Sequence, residues 1–517
     1  MSNRHHKRLK VVSFVILITL MSKILGQGRD LLMAQTFGTG LEADALAAAS
    51  LLPRLFFDAV FASAVTAGFI PVFNEVLERD GKEEAYRLSG SFFTVVGLAT
   101  ASLTVISIAF SSSLIALIAN FDPQTAVLAA RLLQIVFPSI FFTGLSFSMV
   151  GVLNSFGEFN IPAAMSIVSN GIMIVYYLFL ASYFGVYGAA LALLIGWVAQ
   201  AAMLIPSLVK KGYRYYPRLW HPDLGKIFKL LPPAMVSTWI WPFNMWIISF
   251  WFASRFSGGT SSLNFANGLF LVIAGIFVLS VTNVIFPEMS RLSATGEHGA
   301  LCDIVRETTR TLLFLLIPMT VGLMLLATPL VRLLYEHGGF TAESTRLTAS
   351  ALFYMALGMV GYGVQNVLFR AFYAKKRGKV LFLSGFLSIT TTFTLCSLLI
   401  DRMGVAGLGL ASAASLLVTL LVLVPAAYKM LGKRLATGDL VFALCKMTLA
   451  ALMMGVVVFF VQENLAAVLT SDSLLMRLIL VGIPAMIGVS VYLGLAFLLQ
   501  LKEANVILEL VKNRRTT

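Results

Sequence analysis

Long apolar runs constrain this chain more than any other feature of its sequence. About fourteen runs of some twenty residues follow one another along the 517 residues. A run of that length crosses the hydrocarbon core of a bilayer, where helices satisfy every backbone hydrogen bond internally. We therefore expect an all-α polytopic membrane protein with about 14 transmembrane helices. The predicted spans are 11–36, 45–74, 88–118, 126–153, 161–182, 186–209, 230–254, 263–288, 309–330, 347–373, 380–400, 405–428, 441–461 and 478–500.

Composition excludes a soluble protein. Apolar residues make up 58% of the chain and charged residues only 12%, whereas soluble domains carry about 25% charged residues. The net charge of +14 comes from short basic clusters between apolar runs, a pattern that indicates membrane topology rather than nucleic-acid binding. Counting Lys and Arg in the loops predicts that both termini are cytoplasmic and that Phe340 lies outside.

The chain contains a weak internal repeat at an offset of about 217 residues, as in transporters built from two related halves. Phe69-Ile70-Pro71 falls on Ile285-Phe286-Pro287, and Gly185 to Ala192 falls on Gly404 to Ala411. Short glycine patterns also arise from helix packing alone, so the repeat depends on several matches at one offset. It predicts an N-terminal lobe at 1–215, a C-terminal lobe at 216–435 and two additional helices with a cytoplasmic tail at 436–517, the two six-helix lobes enclosing a central cavity.

Charged residues inside membrane spans are costly and usually face a bundle interior or an aqueous cavity. Here they concentrate in the first two spans and the turn between them: Lys23, Arg29, Asp30, Asp44 and Arg54. One interpretation is a cationic cavity wall that binds an anionic substrate such as a phosphate, with Asp30 and Asp44 holding the cations in place. The alternative is a set of internal ion pairs, with Lys23 extending to the membrane interface.

No sequence motif predicts catalysis. The chain lacks a GxSxG elbow, a Walker loop and an HExxH helix, so neither an enzyme nor an ATPase is expected. Cys302, Cys396 and Cys445 are scattered without metal-ligand spacing and are interpreted as packing residues, and no cofactor or metal is expected.

Several stretches together resemble the MurJ (MviN) family of lipid II flippases in the MOP exporter superfamily. They are Ser22-Lys23-Ile24-Leu25-Gly26 with Arg29-Asp30, Phe37-Gly38-Thr39-Gly40 with Asp44-Ala45, Leu52-Pro53 through Phe69-Ile70-Pro71-Val72-Phe73, Gly151-Val152-Leu153-Asn154-Ser155 with Pro162-Ala163, and Arg370-Ala371-Phe372-Tyr373-Ala374. The resemblance implies fourteen helices in two lobes around a cavity, with the last two helices forming a lipid-facing groove. It also implies that Arg29 and Asp30 match the family's Arg-Asp pair, that Asp44 matches its acidic residue at the outer turn, and that Lys23 replaces an arginine.

The sequence departs from the family pattern at two positions. Phe57 stands where many members have an arginine in the second helix, with Arg54 one turn earlier as a substitute. Gly268 stands where members commonly carry a cavity arginine in the eighth helix.

The resemblance implies a flippase that moves undecaprenyl-pyrophosphate-linked glycan (lipid II) from the inner to the outer leaflet of the bacterial cytoplasmic membrane, by alternating access, in cell wall biogenesis. Its expected partners are that substrate and membrane lipids. Cell-wall synthesis proteins are candidate partners, and binding of nucleic acid is not expected. Three alternatives stay open: a flippase for another polyprenyl-linked oligosaccharide, a MOP-type antiporter, and a non-transporting cell-wall scaffold.

Overall fold

The computed structural model describes residues 2–56, 61, 64–432, 435, 438–468 and 473–504, and within them the ordered elements are helices, without a strand. The predicted all-α fold is confirmed. The α-helices are α1 (Ser2–Phe37), α2 (Leu41–Leu55), α3 (Ile70–Arg79), α4 (Lys82–Ala109), α5 (Ser111–Ile118), α6 (Pro123–Val136), α7 (Ser139–Ser155), α8 (Asn160–Val175), α9 (Ala181–Lys210), α10 (Leu224–Trp246), α11 (Gly259–Phe270), α12 (Ile276–Thr295), α13 (His298–Tyr335), α14 (Ala342–Ala356), α15 (Met359–Ala374), α16 (Gly378–Met403), α17 (Val405–Leu431), α18 (Gly438–Val468) and α19 (Leu474–Leu498).

Eight helical segments of the described chain are long and apolar enough to cross a membrane, and two bent pairs raise the number to ten. The bent pairs are α6 with α7, at 41°, and α14 with α15, at 51°. The fourteen crossings predicted from the sequence are therefore not confirmed. Part of the difference lies at Gly185, whose φ of +50° breaks the continuous segment Asn160–Lys210. Gly185 lies near the start of α9, and α8 packs against α9. The segment therefore folds back on itself and forms two spans rather than one straight helix.

The chain separates into two compact units. The first unit comprises residues 1–261 and 337–340, and the second comprises 262–336 and 341–517. Helix α10 thus belongs to the first unit. The segments 1–215, 216–435 and 436–517 are derived from an internal repeat, whereas these two units are defined by contacts. The three segments therefore stay a prediction.

Small residues determine how closely the helices of the first unit approach. Ala45, Ala48 and Ala49 on α2 are completely buried where α2 packs against α6. In a membrane, where lipid tails are as apolar as leucine, such residues stabilise helix pairs through close van der Waals contact. A separate core in the second unit joins α13, α18 and α19.

An ion-pair network joins the loop between α3 and α4 to the start of α10. Arg79 contacts Asp80 at 2.6 Å and Asp223 at 2.8 Å, and Lys226 contacts Glu75 at 2.7 Å and Asp223 at 2.8 Å. Hydrogen bonds from Lys226 and Arg79 hold the pKa of Asp223 below its usual range. The basic residues here are thus used partly in fastening the connector between α9 and α10 to the preceding helices.

The three cysteines differ in their surroundings. Cys302 and Cys396 are buried, as expected of packing residues, but Cys445 is exposed on α18. The interpretation as packing residues is wrong for Cys445, because its side chain is exposed rather than packed between helices.

Candidate functional site

A polar pocket lies between α1, α8 and α9 in the first unit, with a volume of about 400 Å³. Two cations, Lys23 and Arg29, line it from α1. None of the described residues that line this pocket is acidic. The remaining lining residues are Thr19, Ser22, Gly26, Ala163, Ser166, Ser169, Asn170, Trp197 and Gln200. A pocket with two cations and neutral hydrogen-bonding groups suits an anion that also carries polar substituents.

Two side chains hold the Arg29 guanidinium in position. Its Nε and Nη2 groups donate to Oδ1 of Asp30 at 3.0 and 2.7 Å, and its Nη1 group donates to Oδ1 of Asn170 at 3.1 Å. Asn170 is buried and is anchored in turn, because its Nδ2 donates to the carbonyl oxygen of Ser22 at 3.2 Å. A guanidinium carries five N–H donors. One N–H on each terminal nitrogen therefore stays without a partner in the described chain, and two such donors suit a phosphoryl group, whose oxygens can accept both.

Lys23 is exposed and has no ion-pair partner among the described residues. Internal neutralisation of this lysine is one of the two interpretations of the sequence, but no carboxylate pairs with Lys23 among the described contacts. The carboxylate of Asp30 lies beside Arg29 but does not line the pocket. The charge that faces the pocket is therefore positive.

Asp44 lies elsewhere and has a different set of contacts. Only 2% exposed, it accepts hydrogen bonds from the backbone N–H and the hydroxyl of Ser261, both at 2.7 Å, and from the N–H of Gly258 at 2.8 Å. Gly258 has a φ of +73°, and a Cβ there would lie 2.1 Å from the carbonyl oxygen of Thr39. Asp44 thus fastens the turn before α11 to the start of α2. Its predicted part in substrate binding stays a prediction, and these contacts indicate a structural role.

Arg54 is exposed near the end of α2 and does not line the pocket of Lys23 and Arg29. The structure therefore brings together Lys23, Arg29 and Asp30, and separates them from Asp44 and Arg54. Phe57, the departure from the family pattern beside Arg54, lies outside the described residues.

Sequence reasoning missed the wall of the pocket that α8 and α9 supply. Asn170 and Gln200 are buried amides that interrupt the apolar runs 161–182 and 186–209. Polar side chains within apolar runs could have indicated this wall, because such groups need partners or a cavity inside the bilayer. Their position opposite Arg29 depends on which helices pack together.

Gly268 has open space around it. A Cβ at this position would meet nothing within 4 Å, whereas a Cβ at Gly409 would lie 2.6 Å from the carbonyl oxygen of Ala351. We expect Gly268→Arg to accumulate in the membrane at about the parental level, because its Cβ meets no neighbour within 4 Å and a helix interior usually gains from losing a glycine. Gly409→Arg, as a control, should lose most folded protein. Membrane fractionation with detergent size exclusion measures both, and equal losses would contradict the prediction.

An apolar groove of about 530 Å³ lies between α13, α18 and α19 in the second unit. Among the described residues that line it, Tyr492 has the one polar side chain, and its hydroxyl donates to the carbonyl oxygen of Phe314 at 2.9 Å. The resemblance implies a lipid-facing groove formed with the last two helices. The described groove is apolar and includes residues of both helices, and that it faces lipid stays a prediction.

A further cavity of about 530 Å³ lies where α13 ends and α14 begins. Its arginines are engaged within the protein: Arg332 donates to Glu336 at 3.1 Å and Arg346 to Glu343 at 2.6 Å. Unlike the pocket of Lys23 and Arg29, this cavity has a carboxylate, that of Glu336, among its described lining residues, which makes it less suited to an anion.

Together, the apolar helices, the cationic pocket and the apolar groove place the chain in the class of polytopic membrane transporters. A sequence model described as "Lipid II flippase MurJ" matches residues 33–480. The chain belongs to the lipid II flippase MurJ family.

Similar proteins agree with this assignment over most of the chain. The probable lipid II flippase MurJ of Rickettsia prowazekii is 26% identical over 490 residues, which cover 93% of this chain and 96% of that protein. The probable lipid II flippase MurJ of Rhizobium tropici is 28% identical over 511 residues, which cover 96% of this chain and 95% of that protein. A solved structure of a lipid II flippase MurJ in an inward closed conformation superimposes with a TM-score of 0.78 at 26% identity, covering 93% of this chain and 97% of that one. An inward-facing multidrug resistance MATE transporter of the MOP superfamily shares the fold, with a TM-score of 0.63 at 15% identity, covering 81% and 97%.

Proposed function

We propose that this chain moves lipid II from the inner to the outer leaflet of the bacterial cytoplasmic membrane by alternating access, in cell wall biogenesis. The observation that carries the proposal is the pocket in which Lys23 and Arg29 face a space free of acidic side chains among the described lining residues. The two free N–H groups of Arg29 suit a pyrophosphate, which presents several oxygens to one planar guanidinium. The ammonium of Lys23 adds a second charge that the same anion can share.

The second unit, taken by itself, has an apolar groove whose chemistry also supports the proposal. A polyprenyl chain attached to the pyrophosphate needs an apolar path, and the groove between α13, α18 and α19 offers one with a single, internally bonded hydroxyl among its described lining residues. A polar pocket and an apolar groove within one chain fit a lipid with a charged head.

Reconstitution tests the proposed activity. Purified protein in proteoliposomes is given fluorescent lipid II in both leaflets, and a membrane-impermeant quencher or enzyme reports the outer fraction over time. Movement faster than in protein-free vesicles supports the proposal. Movement of another polyprenyl-linked oligosaccharide, with lipid II left in place, would overturn lipid II as the substrate.

The proposed orientation has both termini in the cytoplasm and the loop between α13 and α14 outside. We expect an impermeant thiol reagent applied from outside to label Ala342→Cys and to leave Lys82→Cys unlabelled, because the distribution of Lys and Arg predicts that these loops lie on opposite sides of the membrane. Ala342 is a better site than Phe340, whose side chain is only 2% exposed and so shielded from reagent.

The labelling background needs chiefly the replacement of Cys445, since Cys302 and Cys396 are buried. Permeabilised cells serve as the control, in which both introduced cysteines should react. Labelling of Lys82→Cys in intact cells would contradict the orientation.

A further inference from the structure

The pocket has two chemically different walls. The α1 wall carries the charges of Lys23 and Arg29, whereas the wall from α8 and α9 presents Ser166, Trp197 and Gln200 without a charged group. We propose that this second wall binds the sugar attached directly to the pyrophosphate and so selects for a glycan-bearing lipid. The inference rests on the proposed function, because it assigns one part of that substrate to one part of the pocket.

Gln200 is the main residue of the sugar wall. It is only 4% exposed, and its Nε2 donates to Oγ of Ser169 at 2.6 Å. Ser169 in turn donates to the carbonyl oxygen of Ser166 at 3.3 Å. This chain of bonds orients the amide, whose carbonyl oxygen and second N–H have no partner in the described chain and whose residue lines the pocket.

An amide with one free acceptor and one free donor suits sugar groups better than phosphate. Hydroxyl and acetamido substituents both donate and accept hydrogen bonds, whereas a pyrophosphate at neutral pH mainly accepts. The exposed hydroxyl of Ser166 adds a second group of the same kind. Leaving the buried amide half-satisfied would cost stability, so a bound hydroxyl or water is expected there.

Trp197 lies three residues before Gln200, on the same face of α9. It is partly exposed and lines the pocket. A flat aromatic surface beside oriented polar groups is typical of small-molecule sites, where the ring packs against an apolar face and the polar groups set orientation. The C–H face of a sugar ring provides that apolar surface.

The size of the pocket matches this division. Its volume of about 400 Å³ is near the lower end of the ~300–1,000 Å³ of small-molecule sites. That space suits a pyrophosphate with one sugar ring rather than a disaccharide with its peptide.

Two probes separate the walls: lipid II, and a polyprenyl pyrophosphate of the same chain length without sugar. We expect Gln200→Leu to weaken lipid II binding about tenfold and to change binding of the bare pyrophosphate less than about twofold. Ser166→Ala and Trp197→Phe should shift affinity in the same selective direction. Arg29→Ala should weaken both probes. For each of the four variants, the affinities for both probes are measured on purified protein in nanodiscs, by competition against a fluorescent ligand.

The matched control is Gln134→Leu, which removes a similar bond, Nε2 of Gln134 to Oγ of Ser111 at 2.9 Å, outside the pocket. It should leave both affinities at the parental level. If Gln200→Leu folds poorly, Ser166→Ala carries the test, because the hydroxyl it removes is exposed and makes no bond within the described chain.

Equal weakening of both probes by Gln200→Leu and Ser166→Ala, or no weakening of either, would overturn the sugar wall while leaving the proposed function intact. Failure of the parental protein to bind either probe would instead overturn the proposed function.

Discussion

Arg29→Ala should abolish lipid II flipping while the protein still accumulates in the membrane. The guanidinium is held by Asp30 and Asn170 and offers its two remaining N–H groups to the pocket. Removing one partner of a close charged pair costs about 2–5 kcal/mol, so we expect transport to fall at least ~30-fold. Initial rates in a leaflet-resolved proteoliposome assay measure this loss.

The amount of folded protein distinguishes recognition from mere ion pairing. If Arg29 only neutralised Asp30, its loss would leave a carboxylate without its partner and reduce folded protein. The Asp30 side chain is 36% exposed, which limits that cost, so we expect accumulation near the parental level while transport is lost. A loss of folded protein that parallels the loss of transport would indicate ion pairing instead. Arg29→Lys should recover only part of the activity, because an ammonium cannot bond Asp30, Asn170 and a pyrophosphate with the same geometry.

Arg131→Ala is the matched control, since Arg131 is an exposed arginine on α6 outside the pocket. Its flipping rate should equal that of the parent. A parental rate for Arg29→Ala as well would remove the central residue from the proposed mechanism.

Asp44→Ala should lose folded protein rather than substrate affinity. The substitution leaves the buried N–H groups of Gly258 and Ser261 without an acceptor, at about 1–3 kcal/mol each. We therefore expect destabilisation of ~2–6 kcal/mol, seen as a lower Tm in detergent and little protein in the membrane. Asp44→Asn keeps one acceptor oxygen, so its Tm should lie between those of the parental protein and of Asp44→Ala.

Glu42→Ala is the control on the same helix turn, because Glu42 is exposed. It should leave the Tm unchanged. A normal Tm for Asp44→Ala together with lost lipid II binding would show instead that Asp44 takes part in substrate binding, as the sequence predicts.

The membrane class and the helical fold follow from the sequence alone. Runs of about twenty apolar residues leave helices as the structure that satisfies the backbone in lipid. The contact between Arg29 and Asp30 does not follow from helix spacing, because successive side chains of a helix do not face each other, and the structure shows it. The number of spans does not follow from the apolar runs alone, because a run does not show where a helix bends. The pair α6 with α7 is bent, and Gly185 breaks another helical segment.

Tertiary structure decided which distant groups complete the pocket and which do not. Asn170 reaches Arg29 across 141 positions of the chain, and Asp44 meets Ser261 across 217. Helical periodicity identifies residues that share a face. It does not determine which helix packs against that face, because small residues such as those of α2 permit close packing with more than one neighbour. The sequence therefore determined that costly charges lie within the membrane, whereas only the packing of α1 against α8 decided that Lys23 and Arg29 face a pocket and that Asp44 is bonded to the turn before α11.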